Sequence, residues 1–510
     1  MTSTPESTPG TVYLVGAGPG DPGLLTLRAV ECLARADVVL YDYLANPVML
    51  MHAADGAKLV RLGDSEAGRR PSQDEINALM VDAALEGKTV VRLKGGDPSV
   101  FGRGADETDA LNAAGVPFEV VPGITTGLAV GAYCEIPITH HDDASAVALV
   151  AGRERTAKTE SGLDYAALAS FPGTLILYMG VGRAEEWSGA LIEHGKAADT
   201  PVAIVRWCSR AQQETVRCTL GTVASTIAVR GIRPPSVFVV GDVVARAPDV
   251  SWFAARPLFG TRVLVAGTPG TSAKLRERLE ALGADVLAQP AIRVTDPPDW
   301  APVDAALDRL DQYDWLVFSS GNGVDFLFRR MFERGWDTRR LGTTKLAAVG
   351  AGTAERLDRY HLRVDLVPEK FVAESLAEAL IGEVAGRRIL VARASRGRQV
   401  LADALREAGA HVDQVVVYGN LDVEKPSPEV AAGLAAGTID WITVTSSATA
   451  QSVVRLYGED LRDVRFASIG PIASASLREL GYEPAAEASP QSTAGLIDAI
   501  LTCEEQRRSE

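Results

Sequence analysis

The stretch that decides the fold is TVYLVGAGPGDPGLLTLRA, residues 11–29. An apolar run over residues 12–15 stops at a glycine-rich turn, and a helical pattern follows from Leu24. A strand that passes through such a turn into a helix is typical of an α/β sheet. Asp21 stands where a phosphate-binding GxGxxG motif needs its third glycine. The turn therefore favours a neutral or cationic ligand near its backbone, with a plain tight turn as the alternative.

The same alternation of strand and helix continues along the chain. Further apolar runs, with helical patterns between many of them, occupy residues 38–41, 89–93, 146–150, 174–179, 202–205 and 237–240. This order predicts an α/β architecture with largely parallel sheets. Four loops rich in Gly, Pro, Thr and Asp follow apolar segments, at residues 16–22, 95–98 together with 101–104, 121–126 and 136–140. We expect these loops to gather at the carboxyl ends of one parallel sheet, where such sheets bind ligands.

From about residue 258 the sequence repeats itself at an offset of 126 positions. RVLVA at 262–266 falls on RILVA at 388–392, and DWLVFSS at 314–320 falls on DWITVTS at 440–446. After a six-residue deletion, AVG at 348–350 matches SIG at 468–470. The second half is therefore predicted to contain two related α/β lobes of about 120 residues each.

Composition excludes several classes of protein. At about 150 residues per domain, 510 residues predict three to four domains. With 51 Lys and Arg against 66 Asp and Glu, the charge of −15 argues against a nucleic-acid surface. The five cysteines form no CxxC pair, which argues against a disulfide framework or a zinc site. Since no signal-peptide core or 18-residue apolar run is present, we expect a cytoplasmic protein without a membrane partner.

Three shorter segments carry predictions of their own. Residues 1–10 are expected to be a disordered leader, and residues 248–257 a compact linker whose aromatic side chains dock on one neighbour. The run HHDD at 140–143 could suggest a metal. Adjacent histidines on an extended segment should point to opposite sides, so we predict no metal site.

Eight motifs between Val12 and Val244 resemble the uroporphyrinogen-III C-methyltransferases of the tetrapyrrole methylase superfamily. In order they are GAGPGDPGLLTLRA, VVRLKGGDP, FGRG, VPGIT, IPITH, YMGV, TPVAIV and VVGDVV. The resemblance implies a two-lobed methylase fold over 11–247 and a homodimer. It also implies that S-adenosylmethionine donates two methyl groups to uroporphyrinogen III, giving S-adenosylhomocysteine and precorrin-2, on the way to sirohaem or cobalamin.

The resemblance also implies roles for single residues. Cofactor contacts fall on Pro19, Gly95, Gly96, Asp97, Val100, Thr125, Thr126, Met179 and Cys208. Asp42, at the end of a predicted strand, matches the family's general base, whereas Asp64 stands where the family has a proton-donating lysine. The candidates for binding the acceptor's carboxylates are Arg92, Lys94, Arg103 and Arg153. Alternatives remain, because Asp97 could serve only its turn, Met179 could be core, and each cation could be a solvated surface charge.

From Leu258 to Leu501 the chain resembles uroporphyrinogen-III synthase. The matching motifs are FSSGNGV at 318–324, AVGAGTAE at 348–355, LVARA at 390–394, VY at 417–418 and ASIGP at 467–471. The resemblance implies a two-lobed synthase fold with parallel sheets over 258–510, with 258–292 and 422–510 as one lobe and 293–421 as the other. It further implies that hydroxymethylbilane is cyclised to uroporphyrinogen III.

In this half, by resemblance, Tyr418 helps the terminal hydroxyl of the substrate to depart. The hydroxyls that bind the substrate's carboxylates are those of Ser319, Ser320, Thr353, Ser446 and Ser447. The alternative for each of them is a helix N-cap, because hydroxyls at strand-to-helix turns commonly cap the helix.

The sequence thus predicts a bifunctional enzyme of tetrapyrrole biosynthesis that needs no metal. A second hypothesis, prompted by Asp64, keeps the synthase but makes the first half a binding or regulatory module. A nucleotide-dependent oxidoreductase is opposed by Asp21. A transcription regulator is opposed by the acidic chain, which offers no basic helix-turn-helix segment.

Overall fold

A computed structural model describes residues 8–54, 56–63, 71–153, 162–267, 269–290, 292–368, 373–396 and 399–509. The chain divides into two compact units, residues 1–262 with 278–286, and residues 263–277 with 287–510. The domain boundaries given above stay predictions. Of the expected leader, residues 1–7 lie outside the described residues, whereas the Gly10 amide donates a 2.8 Å hydrogen bond to the Ala84 carbonyl.

The first unit alternates strands and helices. Its strands are β1 (Val12–Gly16), β2 (Val38–Asp42), β3 (Lys58–Leu62), β4 (Val90–Lys94), β5 (Phe118–Val121), β6 (Val147–Ala151), β7 (Thr174–Tyr178), β8 (Pro201–Arg206), β9 (Glu214–Thr219) and β10 (Ser236–Val240). Its helices are α1 (Leu27–Leu33), α2 (Gln73–Leu85), α3 (Gly104–Ala113), α4 (Thr126–Tyr133), α5 (Tyr165–Ser170), α6 (Ala184–Glu193) and α7 (Val223–Arg230).

These strands form two five-stranded sheets. The first has the order β3-β2-β4-β1-β5 and is parallel throughout. All five side chains of β4 are buried, as expected for a central parallel strand that is covered on both faces. The second sheet has the order β6-β7-β10-β8-β9 and is mixed, because only β6 and β7 pair in parallel. The carboxyl ends of β1, β2, β4 and β5 therefore share one edge of the first sheet.

The second unit has the same texture. Its strands are β11 (Arg262–Gly267), β12 (Asp285–Pro290), β13 (Ile292–Thr295), β14 (Trp315–Phe318), β15 (Lys345–Ala348), β16 (Arg388–Ala394), β17 (His411–Asp422), β18 (Trp441–Val444), β19 (Arg465–Ser468) and β20 (Pro484–Glu487). Its helices are α8 (Pro269–Ala281), α9 (Ala301–Asp308), α10 (Gly321–Glu333), α11 (Ala351–Asp358), α12 (Ala373–Ile381), α13 (Val400–Glu407), α14 (Pro428–Ala435), α15 (Ser447–Tyr457), α16 (Pro471–Glu479) and α17 (Thr493–Ser509).

The internal repeat is visible in the strand order. One sheet runs β12-β11-β18-β19-β20 and the other β13-β17-β16-β14-β15. The repeat equates β11 with β16, β18 with β14, and β19 with β15, and these strands follow one another in the same order in the two sheets. Strands β11, β18, β19 and β20 pair in parallel with their neighbours, as do β17, β16, β14 and β15. The edge strand β13 is antiparallel to β17. The fold class is thus α/β with parallel-rich sheets, as predicted.

The aromatic side chains after β10 pack on the first unit. Trp252 donates its ring N–H to the Ala132 carbonyl at 2.7 Å and its backbone N–H to Glu135 at 2.8 Å. The Phe253 and Tyr133 rings lie 4.7 Å apart, edge to face. The predicted docking of these aromatics on one neighbour is therefore what the structure shows. Among the described residues, no helix combines the length and the apolar character that a bilayer crossing requires.

A buried acid ties α17 to the sheet of the second unit. Glu504 is 1% exposed, and its carboxylate accepts from the Trp441 indole at 2.7 Å. Arg465 lies 2.7 Å and Arg507 2.9 Å from the same carboxylate. Burial alone would raise the pKa of Glu504, but these hydrogen bonds outweigh burial and hold the pKa below its ordinary value.

We expect Glu504→Ala to destabilise the second unit by about 1–3 kcal/mol at pH 7, because the buried Trp441 indole loses its acceptor and two partly exposed arginines lose their partner. Since the pKa of Glu504 is lowered, its contribution is complete above the unfolded pKa and is lost as the pH falls through the folded pKa. Thermal unfolding of wild type and variant should therefore converge in acid. Glu505→Ala, a change at the exposed neighbouring position, is the control and should leave the melting temperature unchanged.

Candidate functional site

Three turns at the carboxyl ends of β1, β4 and β5 touch one another through their backbones. Gly18 and Gly96 exchange two hydrogen bonds, of 3.1 and 2.8 Å. A Cβ atom on Gly123 would lie 2.3 Å from the Gly96 oxygen and 2.8 Å from the Gly16 Cα. Only glycine fits there, because both neighbours are backbone. We call these three turns the glycine cradle. They are three of the four loops that the sequence predicted to gather, whereas residues 136–140 follow helix α4 and not a strand of this sheet.

The carboxylate of Asp97 is used within the glycine cradle. It accepts hydrogen bonds from the Ser99 amide at 2.8 Å, from the Ser99 hydroxyl, and from the Gly123 amide at 3.0 Å. Burial would raise the pKa of Asp97, yet the hydrogen bonds from Ser99 and Gly123 hold that pKa below its ordinary value. The side chain therefore serves the turn, as the alternative role requires, and its contact with the cofactor stays a prediction.

The second sheet closes one side of the glycine cradle through β7. The Tyr178 hydroxyl lies 2.8 Å from the Thr125 hydroxyl and accepts from the Gly127 amide at 2.8 Å. Thr125 precedes α4, and Thr126 is its first residue. Burial raises the pKa of Tyr178, so the phenol stays protonated. The end of β7 is thus held against the turn between β5 and α4.

Three residues beside this junction have a left-handed backbone that non-glycine residues rarely adopt. They are Phe101 at φ 53°, Arg103 at φ 58° and Met179 at φ 58°. The Phe101 ring is 5.0 Å from the Tyr178 ring, and Met179 is half exposed. Strained backbone concentrates at ligand sites because the surrounding fold must maintain it. Met179 is therefore not a core residue, and its contact with the cofactor stays a prediction.

The remaining predicted cofactor residues lie at the same edge. Gly95 and Val100 belong to the turn after β4, and Pro19 is buried in the turn after β1. Cys208 is buried in the turn after β8. The next residue, Ser209, accepts a 3.0 Å hydrogen bond from the Asp21 amide, which joins that turn to the one carrying Pro19.

Four charged side chains form a buried charge cluster beneath the glycine cradle: Asp42, Arg92, Lys94 and Glu107. Arg92 donates to Asp42 at 2.6 Å and to Glu107 at 2.9 Å, and Lys94 lies 2.7 Å from Glu107. Arg92 is 3%, Lys94 2% and Glu107 0% exposed. Burial, and then the charge of Arg92, lower the pKa of Lys94. The prediction that Arg92 and Lys94 bind substrate carboxylates is therefore wrong, because both point into the protein toward Glu107.

The other predicted cations are accessible. Arg103 is about half exposed and forms an ion pair with Asp106 at 2.5 Å. Arg153 is exposed just after β6. Both remain able to meet an anionic ligand. Asp64 lies outside the described residues.

The two adjacent histidines do not point to opposite sides. The rings of His140 and His141 lie 4.2 Å apart, so that prediction is wrong. With Asp142 they offer three potential ligand atoms within 4.8 Å of one another. Arg246 lies 3.6 Å from Asp142 and also binds Asp143, so a cation already balances these carboxylates.

In the second unit, Ser320 and Tyr418 meet at the edge formed by β14 and β17. Their hydroxyl oxygens are 2.9 Å apart, and Ser320 also accepts from the Gly323 amide as the N-cap of α10. Tyr418 is 6% exposed, and burial raises the pKa of its hydroxyl. Tyr418 is therefore a protonated donor near neutral pH.

The other predicted hydroxyls divide between the two sheets of this unit. Ser319 donates to the Ala392 carbonyl at 3.4 Å, and Thr353 is buried in α11, which follows the neighbouring strand β15. Ser446 caps α15, which begins at Ser447 in the other sheet's equivalent turn. The alternative of an N-cap is thus realised at Ser320 and Ser446.

Sequence reasoning missed several residues of these sites. Glu107 is missed because nothing in its helix distinguishes it from a surface acid, and Phe101 because strained backbone leaves no sequence signal. Tyr178 could have been found beside Met179 in the YMGV motif. In the second unit, sequence reasoning also missed Arg356. Its Nε lies 3.6 Å from the position that a Cβ atom on Gly321, in the first turn of α10, would occupy.

Comparison with known proteins identifies both units. A family model of the tetrapyrrole (corrin/porphyrin) methylases matches residues 11–224, and one of uroporphyrinogen-III synthase HemD matches residues 273–498. These matches confirm both resemblances.

Individual relatives support the same assignment. A porphyrin biosynthesis protein HemD of Ruminiclostridium josui is 34% identical over 446 residues, which are 87% of this chain and 88% of that protein. A uroporphyrinogen-III C-methyltransferase of Bacillus subtilis (strain 168) is 38% identical over 350 residues, 69% of this chain and 71% of that protein. An S-adenosyl-L-methionine-dependent uroporphyrinogen III methyltransferase of Methanosarcina barkeri (strain Fusaro / DSM 804) is 46% identical over 235 residues, 46% of this chain and 92% of that protein.

The first of these alignments is too long to fit within either half, so it includes both. Known relatives therefore match this chain across both units. The chain belongs to the family of tetrapyrrole-biosynthesis enzymes that join a tetrapyrrole methylase to a uroporphyrinogen-III synthase.

Proposed function

We propose that the second unit cyclises hydroxymethylbilane to uroporphyrinogen III, and that the first unit methylates uroporphyrinogen III twice to precorrin-2. The methyl donor is S-adenosylmethionine, which leaves as S-adenosylhomocysteine. The observation that carries this proposal is the glycine cradle, a backbone surface bounded by the strained and half-exposed Met179. A homodimer and a cytoplasmic location stay predictions.

The residues around the glycine cradle suit S-adenosylmethionine. A sulfonium cofactor is cationic and carries no phosphate, so it needs backbone and hydroxyl groups rather than a helix-end anion site. Gly95, Gly96, Thr125 and Thr126 supply such groups, while the nearby cations Arg92 and Lys94 are already paired with Glu107. Met179, half exposed at the same edge, offers a polarisable surface for an adenine ring.

Bound there, S-adenosylmethionine supplies an activated methyl group. The protein's own tasks are to align the acceptor carbon and to accept the proton that the methylated ring must lose. The acceptor carbon already bears a side chain and carries no hydrogen, so this proton comes from a neighbouring bridging carbon or a pyrrole N–H. Asp42 stands at the carboxyl end of β2, and one carboxylate oxygen is held by Arg92. Among the described residues the other oxygen has no hydrogen-bond partner. That oxygen takes the proton as the neighbouring C–H or N–H bond breaks, and the electron pair of that bond neutralises the positive charge that methyl transfer leaves on the ring.

In the second unit, the bilane must lose its terminal hydroxyl before the ring closes. The pyrrole nitrogen assists this departure, so positioning supplies most of the catalysis. Tyr418 donates its proton toward the departing oxygen, with Ser320 orienting the phenol from 2.9 Å. The raised pKa of Tyr418 keeps that proton in place at neutral pH.

Anaerobic incubation with hydroxymethylbilane and methyl-labelled S-adenosylmethionine tests both activities in one experiment. We expect doubly labelled precorrin-2, resolved by mass and isomer type. Unmethylated type III uroporphyrinogen would contradict the methylase assignment, and it would favour the hypothesis that the first unit only binds or regulates. Type I product, formed by spontaneous closure, would contradict the synthase assignment.

We expect Gly123→Ala to abolish binding of S-adenosylhomocysteine, because the added methyl group would lie 2.3 Å from the Gly96 oxygen and push the turns apart. Isothermal titration calorimetry measures the loss directly. The matched control is Gly189→Ala, where the added Cβ meets nothing within 4 Å. If Gly123→Ala binds as tightly as the control, the glycine cradle is not the cofactor site.

Tyr418→Phe should lower the synthase rate about tenfold or more, the loss expected when one donor in a buried site is removed. Methylation of supplied uroporphyrinogen III by the same variant should be unchanged. Tyr482→Phe removes a structural hydroxyl that donates to the Gly458 carbonyl, and it serves as the control. Equal synthase rates for the two variants would contradict a role for Tyr418 in turnover.

A further inference from the structure

Glu107 is the most deeply buried charge of the first unit's site, and the mechanism above does not use it. It lies in the first turn of α3, is 0% exposed, and is 65 residues from Asp42 in sequence. An ionised carboxylate is costly to bury unless its hydrogen bonds are satisfied. The hydrogen bonds that satisfy the Glu107 carboxylate therefore indicate what this residue does.

The contacts of Glu107 converge on one guanidinium. Its Oε1 accepts from Arg92 Nε at 2.9 Å and from the Gln73 amide at 3.3 Å, and its Oε2 lies 2.7 Å from Lys94 Nζ. Arg92 further donates Nη2 to Asp42 at 2.6 Å and Nη1 to the Leu93 carbonyl at 3.3 Å. All three nitrogens of the guanidinium are thus engaged, which leaves it a single orientation.

Asp42 depends on that orientation. Arg92 is its only side-chain hydrogen-bond partner in the described part of the chain, and Asp42 itself is 27% exposed at the edge of the sheet. A carboxylate at the end of a strand can turn freely unless something holds it. Arg92 holds Asp42, and Glu107 holds Arg92.

Orientation, and not net charge, carries the effect. With Glu107 in place, two cations and two anions balance within the buried charge cluster. Without Glu107, the Nε of Arg92 loses its carboxylate acceptor whether or not Lys94 is also removed, so the guanidinium can turn and carry the Asp42 carboxylate with it.

We propose that Glu107 is a positioning residue for methylation, acting through Arg92 on Asp42. This inference rests on the proposed role of Asp42 as general base. Lys94 balances the second oxygen of Glu107 and takes no part in the positioning.

Glu107→Gln is expected to lower the kcat of methylation at least about tenfold, since small misplacements of a reacting group are costly. The affinity for S-adenosylhomocysteine should stay within about twofold of wild type, because the glycine cradle is untouched. Asp42→Asn should lose at least about 100-fold. In the double variant, Glu107→Gln should add no further loss, because Glu107 acts only through Asp42.

Folding is controlled in two ways. The variant Lys94→Met/Glu107→Gln removes both members of one pair and restores the charge balance, so it should recover stability but not kcat. Glu119→Gln removes one negative charge from an exposed ion pair with Arg28 elsewhere in the same unit, and its kcat should match wild type. The synthase turnover of each variant is measured as well, and an unchanged rate shows that the second unit is still folded.

The outcomes separate the inference from the function beneath it. Two results would overturn the positioning role while leaving the methylase intact. One is a wild-type kcat in Lys94→Met/Glu107→Gln, and the other is an equal loss from Glu107→Gln in the wild-type and the Asp42→Asn backgrounds. An undiminished rate in Asp42→Asn would overturn the general base itself, and the positioning role with it.

Discussion

The first unit depends on the direct contact of backbone with backbone where three strands of its parallel sheet end. Gly16, Gly96 and Gly123 approach so closely that a Cβ atom on Gly16 or on Gly123 would collide with main-chain atoms of the other two. Such contact joins the turns after β1, β4 and β5 into one rigid surface. It leaves peptide groups, rather than long side chains, facing a ligand. The strained residues around that surface are maintained by the packing that the glycines allow.

The charged side chains of the first unit lie beneath the glycine cradle and not on its surface. Arg92 and Lys94 are two positions apart on β4, so they project from the same face of the strand. That face is covered by α3, which presents Glu107 in its first turn, where the helix dipole also favours an anion. Arg92 and Lys94 are therefore buried inside the protein. Asp42, at the edge of the sheet, is the one accessible member of the buried charge cluster. The packing of α3 on β4 thus balances these charges inside the protein and keeps the two cations away from the glycine cradle.

The second unit shows how duplication can yield a single site. Its two sheets place equivalent strands in the same order, and each has a serine cap, Ser320 or Ser446, after the equivalent strand. Only one copy supplies a tyrosine at the cap, because β17 runs for 12 residues and carries Tyr418 near its end. The equivalent strand β12 has six residues. The residue 126 positions before Tyr418 is Ile292, which already begins β13 in the other sheet.

The sequence by itself determined the α/β class, the two families, the gathering of the glycine turns and the repeat, because these depend on local periodicity and on motif order. The roles that the resemblance implies for Met179 and Tyr418 stay predictions. Tertiary structure alone decided that Asp97 serves its turn, that Arg92 and Lys94 face inward, and that His140 and His141 lie side by side. Whether a charged side chain binds a ligand or is buried depends on which distant residue stands opposite it. For Arg92 and Lys94 that residue is Glu107, and only the packing of α3 on β4 brings it there.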